Sequence, residues 1–390
     1  MWYRVRPGRS GLTLRAASVA TTGRLGRAYS VGAAAEPEGS APSLPRIAIA
    51  PNGAALAVWL GRDRANNLRV MAATARPGGR LGSQRALSDP GQPAFDPDVA
   101  FDAQGNAVAV WLRFDGATTR VQAAFRPAGG AFGATQTLSS PAAPANQPDV
   151  AINRSGAAVV VWLLGDGFRD VVQAARRPAG GTFGPIEALS DPTLDADAPS
   201  VALDANANTT VLWVQESNST QRIASAYAPV AGRFGRVTSL SPASQIAFDP
   251  RVGVDATGRA TALWSQGPVP GSPGTKQIVT TSGSRGGFGA RQVLSASRQN
   301  DQLQAVLAVN PAGRAVAAWT NSPITGATPL LAALRTSRTR RFDRAAAVTA
   351  RGLSAGFPAV AIDGRGRSIA LWEDAVGSSG SRGILGSAHR

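Results

Sequence analysis

Pro97–Trp111 reads PDVAFDAQGNAVAVW, and Pro148–Trp162 reads PDVAINRSGAAVVVW. In each, two apolar segments flank a polar tetrad that begins with Asp or Asn and ends in Gly, and each stretch closes on Trp. Asp and Asn side chains hydrogen-bond their own backbone two residues on, and Gly adopts turn conformations that a Cβ disfavours, so the tetrad reads as a hairpin turn. The opening residue recurs at Asp102, Asn153, Asp204, Asp255, Asn310 and Asp363. In one copy Ala207 stands where Gly is expected, with Asn206 beside it.

Working outward, Trp111 is followed by a polar loop, then VQAAFRP (Val121–Pro127), a Gly-Gly turn and FGATQTLS (Phe132–Ser139). The next copy continues with VVQAARRP and GGTFGPIEALS. Each unit therefore supplies four hairpin-linked strands, a to d, with strand a opening at its Pro. Trp2, Trp59, Trp111, Trp162, Trp213, Trp264, Trp319 and Trp372 are all the tryptophans of the chain. One per unit of about fifty residues marks a repeat fold.

Strand b (Asn106–Trp111) is apolar on both faces, so both faces need cover. Strand a holds a small residue at one fixed place: Ala48, Ala100, Ala151, Ala202, Gly253, Ala308 and Ala361. Innermost strands converging on an axis leave room for little more than a methyl group. No helical periodicity is present, which excludes helical solenoids. The expectation is an all-β propeller of four-stranded blades in one domain, each blade sandwiched between two others. Residues 1–32 form an incomplete first blade, 33–44 a linker loop, 45–356 six full blades and 357–390 an incomplete last blade. The missing strands, a of the first unit and d of the last, are consecutive around a closed ring. This predicts eight blade positions and a chain start upstream of Met1. The alternative is seven blades, with Arg27–Val31 closing the last.

The 390 residues are 43% hydrophobic, enough for a large core, and contain no apolar run long enough for a membrane span. Cys is absent, which excludes disulfides and thiolate metal sites. MWYRVRPGRSG at the N-terminus lacks a signal peptide's apolar core. The net charge is +16, and Lys276 is the only lysine among 40 basic residues. An Ala-, Gly- and Arg-rich chain of this kind is typical of a high-GC bacterial genome. The Arg residues are scattered, with no basic stripe interleaved with aromatics, so no specific nucleic-acid partner is expected. A monomer is expected.

The b–c loops do not repeat, unlike the a–b and c–d turns, and loops free of structural constraint carry function. With the d–a loops they lie on the face we expect to be the working one. At its centre are the residues that follow the Pro of strand a: Arg46, Asp98, Asp149, Ser200, Arg251, Val306 and Ala359. Paired carboxylates suit acid–base work, and Arg clamps anions. Arg62, Arg113, Asp166 and Glu216 follow the Trp strands on the same face. Asp191, Asp195 and Asp197 are a weak candidate for loose calcium binding, and no other metal and no cofactor is expected. His389 is the only histidine, which excludes a Ser-His-Asp system. No phosphate loop or dinucleotide fingerprint is present.

The Asp-x-x-Gly turn leading into an apolar strand that ends in Trp resembles the Asp-box unit of bacterial sialidase-type propellers, and does so over nearly the whole chain. That unit normally reads Ser-x-Asp-x-Gly-x-Thr-Trp, whereas Gly105 and Trp111 stand further apart. No spaced Arg trio or Tyr/Glu nucleophile pair can be placed. The resemblance implies the fold and an extracellular or cell-envelope location. The functional expectation is a non-catalytic binding module for a protein or glycan. The alternative is a carbohydrate-active enzyme, either a sialidase-like hydrolase or a polysaccharide lyase.

Overall fold

The computed structural model describes residues 2–5, 12–16, 27–35, 45–50, 52–165, 168–217, 220–269, 274–295, 300–323, 326–336, 341–350, 352–376 and 381–389. Among these there are eight antiparallel sheets and no helix, so no helix is long and apolar enough to cross a membrane. The residues group into two compact units, one ending at Pro192 and one whose sheets follow Thr193. Each unit contains four sheets.

The third sheet shows the plan: Ala94–Phe101, Ala107–Phe114, Thr119–Arg126 and Gln136–Thr137, paired in the order a-b-c-d. The first sheet has three strands, Trp2–Val5, Leu12–Ala16 and Tyr29–Ala34, and the eighth has Ala355–Ile362, Ser368–Val376 and Ser381–His389. The Tyr29–Ala34 strand pairs with Leu12–Ala16 and so completes the first sheet.

Strand d is shorter than the sequence implied, and a hydroxyl accounts for its end. Ser139 Oγ accepts the Val121 N–H at 2.9 Å, Ser190 Oγ the Val172 N–H at 2.9 Å, and Ser241 Oγ the Ile223 N–H at 3.0 Å. The side chain satisfies a donor that a longer strand d would otherwise have to meet.

Strand b forms the core because its two faces serve two neighbours. Val108, Val110 and Leu112 pack with Val150, Val160 and Trp162 of the fourth sheet. The alternate residues Ala107, Ala109 and Trp111 pack with Leu56, Val58 and Val70 of the second. The second unit repeats the scheme, with Trp264 set against Leu212 and Trp319 against Leu263. Trp59, Trp111, Trp162, Trp213, Trp264 and Trp319 are fully buried. Each indole N–H then needs an acceptor, since an unpaired buried donor costs about 1–3 kcal/mol. For Trp111 and Trp162 it is Gln122 or Gln173 on strand c, for Trp213 and Trp264 Gln215 or Gln266 on strand b, and for Trp319 Gln302 on strand a.

Candidate functional site

The two ends of strand a are built differently. At the turn end, Asp102 Oδ1 accepts the N–H groups of Gln104 and Asn106 at 2.9 and 2.8 Å. Its Oδ2 faces the Gly156 turn of the next sheet, where an added Cβ would lie 3.3 Å away. In the second unit Asp204 meets Gly258 and Asp255 meets Gly313 in the same way, at 2.7 and 3.0 Å. Where the turn opens with Asp the carboxylate is a structural staple, and Gly on the next sheet permits the close approach as well as the positive φ.

At the other end the structure corrects the strand boundary. Strand a begins before its Pro, and the Pro sits inside the strand at a β-bulge, between Phe95 and Asp98 in the third sheet. The residue before it is left-handed. Asp96, Gln147, Ala198, Asp249, Gln304 and Phe357 have φ between 41° and 54°. In each case the bulge steps the register before the residue that follows the Pro or its Ala305 counterpart.

In the first unit this brings Arg46, Asp98 and Asp149 together. Arg46 Nε lies 4.0 Å from Asp98 Oδ1, with the Arg46 side chain 59% exposed and that of Asp98 21%. Asp98 and Asp149 hydrogen-bond through their side chains. The Val150 N–H reaches Asp98 Oδ2 at 3.4 Å and Asp149 Oδ1 at 3.1 Å. Burial pushes the Asp98 carboxyl above the usual carboxylate range, against the pull of Arg46 and the Val99 and Val150 N–H groups. Asp96, which keeps an exposed face at the bulge, is also raised, by partial desolvation, and is likewise opposed by Arg46. Burial disfavours a charge on Asp98, while the Arg46 guanidinium favours it.

In the second unit Ser200 takes the place of Asp98, and its Oγ accepts the Val252 N–H at 3.3 Å. Arg251 is exposed and donates from Nη1 to the Pro250 carbonyl at 3.1 Å. Arg62, Arg113 and Glu216 lie on strands that run past the Trp, where the sequence reading had loops. Arg62 donates to the Asn66 carbonyl at 2.8 Å, Arg113 Nη1 lies 3.6 Å from Asp89, and Glu216 accepts from Gln221 at 3.2 Å. Asp166 lies outside the described residues.

Among the described residues no group of three His, Asp or Glu side chains is arranged to hold a metal ion, so the calcium candidate at Asp191, Asp195 and Asp197 is not supported. Asp195 and Asp197 are strand residues, paired with Glu216 and Val214, and Asp195 Oδ1 accepts the Ala196 N–H at 3.0 Å.

The basic excess is also not wholly a surface property. Arg69, Arg177 and Arg335 are buried. Arg177 donates to the Gly156 carbonyl at 2.8 Å and lies 3.8 Å over the Phe125 ring.

No protein-family model and no curated protein sequence matches this chain. Among solved structures, an ulvan lyase of polysaccharide lyase family PL25, bound to -[GlcA(1-4)Rha3S]-, aligns over 87% of this chain and 90% of its own, with 11% identity and a TM-score of 0.52. The polysaccharide lyase Uly1 aligns over 92% and 91%, with 11% identity and a TM-score of 0.51. A leech intramolecular trans-sialidase aligns over 88% and 67%, with 9% identity and a TM-score of 0.45. The likeness to the two lyases is one of fold, and the sheets described above are the blades of a β-propeller.

Proposed function

We propose that this propeller is a non-catalytic module of the cell envelope or extracellular space that binds a glycan at the bulged ends of its strands a. The observation that carries this reading is the Asp98–Asp149 pair beside Arg46. Two hydrogen-bonding carboxyl side chains beside a guanidinium are dense in hydrogen-bonding groups, which suits a hydroxyl-rich ligand.

The same contact argues against glycoside hydrolysis, in which the carboxyls stand about 5–5.5 Å apart for retention and about 6.5–9.5 Å apart for inversion. A lyase needs a base, and the tyrosines whose side chains are described do not offer one. Tyr227 is pushed up by burial and by Asp204, and the Tyr29 hydroxyl accepts the Leu81 N–H at 3.0 Å. The polysaccharide lyases that share the fold favour a glycan over a protein as the ligand.

The test is retardation in native gels containing laminarin, xylan, arabinan, mannan, ulvan or alginate. Asp98→Asn with Asp149→Asn should abolish retardation. Asp102→Asn with Asp255→Asn should preserve it, because Asn153 and Asn310 already fill that turn position. Loss in the turn pair alone would place the working face on the other side. Release of reducing or unsaturated ends from any of these polymers would replace the binding reading with an enzymatic one.

A further inference from the structure

The six left-handed bulge positions differ in how well their side chains suit the backbone. Asp tolerates a positive φ, but a bulky residue there is an outlier. Phe357 has φ 47° and precedes Pro358, a position restricted further by the proline ring. Burial does not account for the aromatic, because Phe357 is 51% exposed. Hydrogen bonding does not account for it either. Its backbone N–H donates to Gln304 Oε1 at 3.0 Å, a bond that any residue except proline would make. What remains is an aromatic ring held open to solvent on a strand at a strained position, and strain of this kind concentrates at ligand sites.

Gln304 occupies the same bulge position one sheet earlier and is itself left-handed, at φ 54°. With Oε1 engaged by Phe357, its Nε2 has no protein partner among the described residues. Asp249 holds that position one sheet earlier again, and Arg251 follows two residues on.

We infer that Phe357 is the stacking platform for a pyranose ring of the glycan, with the Gln304 amide donating to a ring hydroxyl. The C–H groups on the apolar face of a pyranose carry partial positive charge and meet the negative face of the aromatic ring. The planar amide fixes how the sugar lies. The second unit thus has a sugar contact of its own, and the inference rests on the glycan reading of the bulged ends.

The experiment measures binding of the full chain to whichever of the six polysaccharides retards it most, alongside thermal unfolding. Phe357→Ala and Phe357→Gly should each weaken binding by about tenfold, the upper end of what an aromatic stacking contact supplies. Phe357→Trp should retain binding, since the platform survives. Phe357→Gly should unfold at or above the temperature of Phe357→Ala, because only Gly relieves the left-handed backbone. Wild-type affinity in Phe357→Ala overturns the platform and leaves the Asp98–Asp149 reading intact. Loss of binding in Phe357→Trp as well as Phe357→Ala reduces Phe357 to a structural role. A wild-type chain that none of the six polysaccharides retards overturns both readings.

Discussion

The turn end and the bulge end of strand a meet the same demand, reversing or kinking a chain in a crowded place, by opposite means. At the turn end the side chain does the work. Asp102, Asn153, Asp204, Asp255, Asn310 and Asp363 each accept the N–H groups two and four residues on, so that position barely varies. At the bulge end the backbone does the work through a left-handed residue, and no single side-chain type recurs there. The corresponding positions are Asp96, Gln147, Ala198, Asp249, Gln304 and Phe357, a set with no common chemistry. Variation is concentrated at the end where the backbone, and not a repeated side chain, sets the geometry.

The largest expected effect tests the packing on which both ends depend. Trp162→Ala should destabilise by about 3–5 kcal/mol in chemical denaturation, as emptying a large aromatic site does. The indole is fully buried against the third sheet, and its loss would also orphan Gln173. A loss below about 1 kcal/mol would show that the sheets do not pack as described.

Next comes the staple at the turn end. Gly258→Ala should cost about 1–3 kcal/mol, because strain at φ +82° adds to a Cβ placed 2.7 Å from Asp204 Oδ2. Gly78→Ala is the control, with φ +69° and nothing within 4 Å of the new Cβ. Equal losses in the two would leave the backbone angle as the whole reason for glycine.

Ala207 is the natural exception in the turn series, held at φ 63°. Ala207→Gly should stabilise by about 0.5–1 kcal/mol, and a loss would mean that the extra freedom of the unfolded chain outweighs the strain.

The smallest effect is at the bulge end and shows in its pH dependence. The Asp98 carboxyl is raised, so the folded protein keeps that proton to a higher pH than the unfolded chain does. Its contribution to stability is therefore fullest in acid and is lost as pH rises through the raised value. Asp98→Asn removes the dependence, so between about pH 4 and about pH 7 the variant should gain on the wild type in thermal unfolding. A gain in the opposite direction would mean that Asp98 is held ionised by Arg46.

Most of the scaffold was legible in the sequence because its constraints fall on side chains. The Trp series, the Asp-x-x-Gly turns and the small residue of strand a each name the residue type that geometry requires. Gly253 shows how strict this is, since a Cβ there would lie 2.6 Å from Val309 on the next sheet. The bulge was not legible, because a left-handed Asp, Gln or Phe has no residue signature. Its one trace is the Pro, which was read as the start of strand a and in fact marks its kink. The neighbourhood of Asp98, Asp149 and Arg46 followed from counting along the repeat, and the structure added the 4.0 Å approach of Arg46 to Asp98. The convergence of Gln side chains on the Trp N–H groups was hidden for a different reason. Gln122, Gln215 and Gln302 occupy three unrelated places in the repeat and meet only in space.

That convergence bears on how such a chain can lengthen. Trp111, Trp162, Trp213, Trp264 and Trp319 each take an acceptor from their own sheet, so each of those sheets carries its buried donor and acceptor as a closed set. A duplicated or transplanted copy would arrive with its indole N–H already met, although its neighbours would still have to match contacts between sheets such as Gln136 with Phe183 and Gln292 with Phe342. Trp59 is the exception, because its indole N–H is met by the Ala33 carbonyl of the preceding sheet at 3.0 Å. The second sheet thus depends on its predecessor for this bond, while in the third to seventh the Trp N–H is met wherever the copy is placed.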